Sequence, residues 1–239
     1  MSLLDQPKQS LDPDIWTMPR ALAGAKLQPE VKAYIIKTAP IPQGSIYELV
    51  MIGSTLGYQY SASSDTDVAV ISTAADVDGK MHKLFKNYNN QGHIIPNTQH
   101  PVNYFYQEFS NQYTGDWSNS MGAYSVTKDT WLKYPMSPEH IGDPSKRYER
   151  EIRYAMMLKA SFESEVARFK EAYHRHDMSE AERIANDLRM FAYNLDQERK
   201  LAYNYHIGTP ALQEKNITFK IMEHGPDGQL FNALLGDHA

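Results

Sequence analysis

The stretch Met51-Ile-Gly-Ser-Thr-Leu-Gly-Tyr-Gln-Tyr-Ser-Ala-Ser-Ser-Asp-Thr-Asp-Val-Ala-Val-Ile71 decides the fold and the chemistry expected of this chain. Residues 48–52, apolar after Glu48, predict a buried strand that ends at Gly53. Residues 67–71 predict a second strand, since the four residues after Asp67 are apolar and rich in β-branched side chains. A polar excursion, residues 55–64, separates the two. The sequence therefore predicts neighbouring strands with polar groups where they are joined.

Gly53 and Ser54 stand where the first predicted strand ends, and they suit contact with a phosphate. A glycine has no side chain, so a phosphate can come close to its backbone. If the chain turns into a helix at this point, free backbone N–H groups and the Ser54 hydroxyl face an anion. We therefore expect Gly53 and Ser54 to hold the phosphates of a ligand.

Asp65 and Asp67 are two residues apart at the start of the second predicted strand. Side chains of a strand alternate between its two faces, so both carboxylates are expected on one face. Two such groups can hold one or two Mg²⁺ ions beside a triphosphate. The alternative for a Ser-Ser-Asp sequence alone is a turn with solvated acids. The Gly-Ser pair at this distance favours the metal site.

This pattern resembles the nucleotidyltransferase superfamily of DNA polymerase β. Its motif is an apolar strand, Gly-Ser, an excursion of ten to thirteen residues, and an Asp-x-Asp strand usually preceded by Ser. The resemblance covers residues 46–72, and Gly57 comes one residue earlier than the second glycine of many members. The matching positions here are Gly53, Ser54, Ser64, Asp65 and Asp67.

The resemblance implies a function and a role for each matching residue. A nucleoside triphosphate would bind with Mg²⁺, or Mn²⁺ in its place, and a nucleoside monophosphate would pass to an acceptor with release of pyrophosphate. Asp65 and Asp67 would be catalytic and ligate the metal. Gly53 and Ser54 would hold the β- and γ-phosphates, and Ser64 would belong to the nucleotide site.

A third carboxylate, usual in this superfamily, is the point where the sequence departs from the pattern. It is expected on a later strand, for which residues 101–107 are the best candidate, and its matching position is Asn103. Asparagine offers a neutral oxygen ligand but cannot act as a general base. Glu108 is the nearest acid. Three alternatives stay open: Glu108 substitutes, Asn103 serves a weaker metal position, or catalysis is lost.

The predicted fold class is α+β, with a palm-like mixed β-sheet and flanking helices in residues 1–142. Residues 143–239 show helical spacing of apolar side chains and are predicted to form an α-helical hairpin subdomain. Asp143-Pro144 is expected to start its first helix. Ser179 and Glu182 form a capping box for its second.

A basic stripe in the first of these helices has two interpretations. Lys146, Arg150 and Arg153 share one helix face, interleaved with Glu149 and Glu151. A solvated face is the preferred interpretation. The alternative is a clamp on the triphosphate, which would make Arg150 a nucleotide-binding residue, because superfamily members often place a basic helix across the cleft.

Composition excludes several classes of function. The chain has no cysteine, which removes disulfides, thiolate metal sites and a thiol nucleophile. Its net charge of −5 argues against a broad surface for long duplex DNA. No apolar run is long enough for a membrane span, so we expect a cytoplasmic protein with no membrane partner. The expected partners are an NTP and an acceptor that is a small molecule, a protein or an RNA end; the oligomeric state stays open.

Two further hypotheses compete with the transferase. The fold could bind nucleotide or a protein partner without turnover, an alternative that Asn103 favours. The helical hairpin could instead be the working part, as an oligomer interface. The histidines show no trusted metal-ligand spacing. His93 and His100 flank a loop beside the third strand, for which a surface position is expected and an approach to the active site is the alternative.

Overall fold

The structure is a computed structural model of the chain. It describes residues 6–110, 113, 115–117, 120, 122–141, 143, 146, 148–205, 210–223 and 227–236. The chain divides into two compact units, which we call the sheet unit (Ser2–Asp143) and the helical unit (Pro144–Ala239). The mixed α+β fold class predicted from the sequence is confirmed.

A five-stranded mixed sheet forms the centre of the sheet unit, in the strand order β5-β4-β3-β6-β7. Strands β4 and β5 pair in parallel, and the other pairs are antiparallel. A separate two-residue ladder joins β1 and β2. The strands are β1 (Trp16–Thr17), β2 (Lys26–Leu27), β3 (Ile46–Ile52), β4 (Thr66–Ser72), β5 (Val102–Glu108), β6 (Ala123–Ser125) and β7 (Thr130–Lys133).

The two faces of this sheet bury different sets of side chains. Val68 and Val70 of β4 belong to the main core, against which helices α1 (Pro29–Thr38) and α2 (Lys80–Asn89) lie. Ala69 and Ile71 belong to a smaller cluster on the opposite face. A short helix, α3 (Pro138–Ile141), ends the unit. Because side chains alternate along a strand, Asp67 lies on the face of Ala69 and Ile71.

The helical unit contains more than the predicted hairpin. Its core is shared by four helices, so that the hairpin is covered by two further helices. Phe162 of the first helix contacts Phe231 of the last, with ring centroids 6.0 Å apart. The helices are α4 (Glu149–His174), α5 (Met178–Tyr205), α6 (Pro210–Glu223) and α7 (Gly228–Gly236).

One predicted helix start can be compared with the structure. The other, at Asp143-Pro144, includes Pro144, which lies outside the described residues; the helix α4 begins at Glu149. The predicted Ser179 cap is wrong, because the side chain of Asp177 accepts the Glu180 backbone N–H at 3.1 Å. An Asp at this position satisfies a backbone donor that the first turn leaves without a helical partner.

An N-terminal segment, residues 8–17, packs on the chain that follows Gly53. The Trp16 indole N–H donates to the Thr55 carbonyl at 2.8 Å, and the Lys8 backbone N–H donates to the Tyr58 carbonyl at 2.7 Å. Trp16 is fully buried. The loop between β3 and β4 is therefore held on one side by a segment far away in the sequence.

Candidate nucleotide and metal site at the ends of β3 and β4

Gly53 and Asp67 lie directly against each other. In the β3–β4 register, Ile52 pairs with Asp67, so Gly53 follows the last paired residue. A Cβ atom built on Gly53 would lie 2.8 Å from Oδ2 of Asp67. Gly53 also has φ +92°, a conformation that side chains disfavour. The Gly-Ser corner and the acidic residue therefore share one place in the fold.

The turn after Gly53 is shorter than a phosphate-binding α-helix. Residues Ser54–Leu56 form a single 3₁₀ turn, in which the Gly57 backbone N–H donates to the Ser54 carbonyl at 3.0 Å. The free backbone N–H groups expected to face an anion required an α-helix at this point, and the chain forms none here. One turn carries little dipole, so phosphate contact would depend on the Gly53 backbone and on the Ser54 hydroxyl.

The two acids differ in exposure. Asp65 is exposed and precedes β4 by one residue, whereas Asp67 is partly buried inside the strand. Asp67 lies within β4, so the alternation of the strand gives the face of its side chain. Asp65 precedes the first strand residue, Thr66, so the alternation applies to it only if the extended backbone continues one residue further. The pair thus has one carboxylate on the sheet and one at its solvent edge.

Asn103 is the neighbour of Asp67 on β5. The parallel register pairs Asp67 with Asn103, and both are partly buried. Paired residues on adjacent strands are about 4.8 Å apart and share a face of the sheet. The amide oxygen of Asn103 is therefore the available neutral ligand beside Asp67.

Glu108 does not lie at this end of the sheet, which corrects its prediction as a metal ligand. The register pairs Glu108 with Ser72, about 17 Å along β4 from Asp67 at roughly 3.3 Å per residue. A carboxylate oxygen of Glu108 instead lies 3.4 Å from the Asp76 backbone N–H, from which it accepts a hydrogen bond. The strand is fully extended between the two ends, so Glu108 cannot share a metal with Asp67.

The Ser64 hydroxyl makes contacts within its own loop that the motif did not predict. Its hydroxyl oxygen accepts the Ser61 backbone N–H at 2.8 Å and lies 3.2 Å from the Ser61 hydroxyl. Ser64 is buried, and these contacts tie down the end of the loop before Asp65. A role of its hydroxyl in nucleotide binding stays a prediction.

Arg150 belongs to the helical unit. It is exposed in the first turn of α4, and its predicted contact with a triphosphate stays a prediction. Arg153 pairs with Glu149 at 3.4 Å, with both side chains mostly exposed. This pair fits the interpretation of a solvated face.

A cavity of about 360 Å³ lies on the same face of the sheet as Asp67. Its lining includes Glu48, which pairs with Ile71 and is therefore about 13 Å along β4 from Asp67. The Lys128 ammonium lies 3.1 Å from the Glu48 carboxylate. The aromatic side chains that line the cavity are Tyr47, Phe109, Tyr113 and Trp117. Its volume is in the range of small-molecule sites.

A histidine that the sequence analysis placed at the surface is buried beside this site. His100 is fully buried, so its expected surface position is wrong. Its Nδ1–H donates to the Ser64 carbonyl at 2.8 Å, and its Nε2 lies 3.1 Å from the Asp12 carboxylate. Burial lowers the pKa of His100, but Asp12 and the Ser64 carbonyl raise it by more, so that the pKa lies above its ordinary value. No local pattern signals a contact between residues this far apart in sequence.

Comparison with known proteins gives no relative. No family model matches the chain, and no curated protein or solved structure is significantly similar to it. The functional argument therefore depends on the site itself. Among the described residues, every helix is too short or too polar to cross a membrane.

Proposed function

We propose that the sheet unit binds a nucleoside triphosphate with Mg²⁺ and transfers its nucleoside monophosphate to an acceptor. The observation that carries this proposal is the contact between Gly53 and Asp67. The Asp67 carboxylate fills the space beside Gly53 that a side chain would need, so the acid lies against the Gly-Ser corner, as a metal shared by carboxylate and phosphate requires. Any side chain at position 53 would collide with the carboxylate oxygen that is expected to bind the metal.

The donor set fits Mg²⁺ or Mn²⁺. Asp65 and Asp67 offer carboxylate oxygens, and Asn103 offers an amide oxygen on the adjacent strand. Mg²⁺ in proteins keeps several waters and uses one or two carboxylates together with substrate phosphates. When bound, the metal would neutralise negative charge on the phosphates during transfer.

The protein's contribution to the reaction would be positioning. The acceptor oxygen would bond to the α-phosphorus, the bond from that phosphorus to the bridging oxygen would break, and pyrophosphate would leave. The acceptor's proton would pass to a carboxylate of the acid pair, since Asn103 cannot accept one. The acceptor is a small molecule, a protein hydroxyl or an RNA end, and the aromatic cavity is the candidate place for it or for the base.

A second candidate is nucleotide binding without transfer, and the position of Asn103 favours it. A neutral side chain lies where the pattern calls for a third carboxylate, opposite Asp67. Such a protein would bind a metal–nucleotide complex and act as a sensor or a partner-binding module. The two candidates share one binding site and differ only in turnover.

The test uses the full chain with α-labelled ATP, CTP, GTP and UTP, Mg²⁺ or Mn²⁺, and acceptors of the three classes. Transferase activity predicts label in one acceptor and pyrophosphate release. The double substitution Asp65→Ala/Asp67→Ala should lower both by at least about a hundredfold. Glu108→Gln is the matched control, because it removes an acid at the opposite end of the sheet.

The outcomes separate the candidates. Tight binding of a metal–nucleotide complex, lost in the double variant but never followed by transfer, identifies the sensor. If the double variant binds nucleotide as well as the unchanged chain does, the site is not at Gly53 and Asp67, and both candidates are wrong.

A further inference from the structure

Asp12, Asp14 and His100 form a cluster that belongs to no part of the proposed nucleotide site. Each offers one ligand atom, and the three atoms lie within 4.8 Å of one another. Asp12 and His100 are buried, whereas Asp14 is exposed. The cluster therefore has an inner wall of two buried groups and a carboxylate facing solvent.

The ring of His100 is oriented for a ligand at Nε2. Its Nδ1–H donates to the Ser64 carbonyl at 2.8 Å, so in the neutral imidazole the lone pair is on Nε2. Metal-binding histidines usually donate their other N–H to a carbonyl or a carboxylate in this way. The Ser64 carbonyl thus fixes both the tautomer and the direction of the ring.

Hydrogen bonds also hold Asp12 in place. Its Oδ1 accepts the Asp14 backbone N–H at 3.0 Å, and its backbone carbonyl accepts the Trp16 N–H at 2.9 Å. This turn leaves Oδ2 directed at His100. It also sets Asp14 beside Asp12 through the backbone, without using the Asp14 side chain.

The two inner atoms have no hydrogen-bond partner among the described residues. Asp12 Oδ2 and His100 Nε2 are both buried, and they lie 3.1 Å apart without hydrogen-bond geometry. A buried polar atom without a partner is costly. Two ligand atoms at about 2.0–2.2 Å from one metal ion lie roughly 3.0–3.5 Å apart. The observed separation fits two ligands of a common ion, and it is also that of a direct ion pair, which the experiment below distinguishes.

We propose that Asp12, Asp14 and His100 bind a divalent transition-metal ion, with Zn²⁺ and Co²⁺ as suitable probes. One imidazole nitrogen and two carboxylates suit such ions better than Mg²⁺, which prefers oxygen ligands alone. Water would complete the coordination on the side of Asp14. The ion would tie the N-terminal segment to the loop that ends at Ser64, just before Asp65.

The experiment titrates the full chain, first stripped with a chelator, with Co²⁺ and follows visible absorption; equilibrium dialysis with Zn²⁺ gives the stoichiometry. We expect about one bound ion per chain with nitrogen and oxygen ligands. Asp14→Asn should weaken binding at least about tenfold. This variant keeps the fold, since the exposed Asp14 side chain takes no part in the turn.

Asp78→Asn is the matched control, because Asp78 is exposed and forms a surface ion pair with Lys80 at 3.9 Å. It should bind Co²⁺ as the unchanged chain does. Long-range ¹H–¹⁵N spectra add a readout at His100, where Zn²⁺ should shift Nε2 and leave Nδ1 protonated. If Asp14→Asn keeps the full affinity for Co²⁺, or if the His100 resonances do not shift when Zn²⁺ is added, Asp12 and His100 form only a buried ion pair.

This proposal stands apart from the proposed function. Asp65→Ala/Asp67→Ala should bind Co²⁺ with unchanged affinity at the Asp12, Asp14 and His100 site. Loss of Co²⁺ binding in that double variant would place the ion at the acid pair and overturn the proposal, whatever the outcome for nucleotide transfer.

Discussion

Asn103 lies opposite Asp67 in the parallel pairing of β4 and β5. Asn103→Asp would put a third carboxylate beside the acid pair. We expect Mn²⁺ affinity to rise about tenfold, because carboxylate count tunes the affinity of oxygen sites. Electron paramagnetic resonance of free Mn²⁺ measures this directly. Gln107→Glu is the control, because it adds the same charge on the same face of β5 but opposite Ile71. An equal rise in Mn²⁺ affinity in this control would show a general effect of charge.

Gly53→Ala should remove metal–nucleotide binding. The added methyl group would lie 2.8 Å from Asp67 Oδ2 at a backbone φ of +92°, so the carboxylate or the loop must shift. We expect a loss of about 1–3 kcal/mol in the free energy of unfolding as well. Fluorescent-nucleotide titration and urea unfolding measure the two effects. Gly44→Ala, where a Cβ meets nothing within 4 Å, should change neither.

Asp129 should contribute stability that depends on pH. Partial burial raises the pKa of Asp129, but hydrogen bonds from Tyr124 and Lys32 lower it by more, so that it lies below its ordinary value. The Asp129 carboxyl therefore binds a proton more readily in the unfolded chain than in the folded one. Its contribution to the free energy of unfolding is fully present above the unfolded carboxyl pKa of about 3.9, and it is lost as pH falls through the folded pKa.

The test for Asp129 compares the unchanged chain with Asp129→Asn, since asparagine tolerates the φ of 56° found there. The gap between their free energies of unfolding should be no more than about 1 kcal/mol near neutral pH, because solvent screens a partly exposed pair. It should narrow as pH falls from about 5 to about 2. A gap that widens in acid would contradict the assignment.

Glu48 should matter for the stability of the sheet unit. Its buried carboxylate accepts the Ser125 hydroxyl at 2.6 Å and faces the Lys128 ammonium at 3.1 Å. Glu48→Gln keeps the shape but removes the charge, and we expect a loss of about 1–3 kcal/mol. Tryptophan fluorescence in urea reports it, because all three tryptophans are in the sheet unit. The exposed Glu30→Gln serves as control; an equal loss in both would refute a special role for Glu48.

Local sequence determined the elements around the site. The apolar runs before Gly53 and after Asp65 became β3 and β4, and Pro29 opened α1, because periodicity and proline geometry act within a few residues. The start of α5 was less well determined. Asp177 caps α5 in place of Ser179, since several polar residues compete for one cap.

The sequence by itself determined that Gly53, Ser54, Asp65 and Asp67 belong to one strand–loop–strand unit. Only the tertiary structure decided which other groups join them. The parallel register set Asn103 beside Asp67 and carried Glu108 to the other end of β5. The packing of the N-terminal segment brought Asp12 to His100. Such contacts depend on how distant segments assemble, which no local pattern encodes.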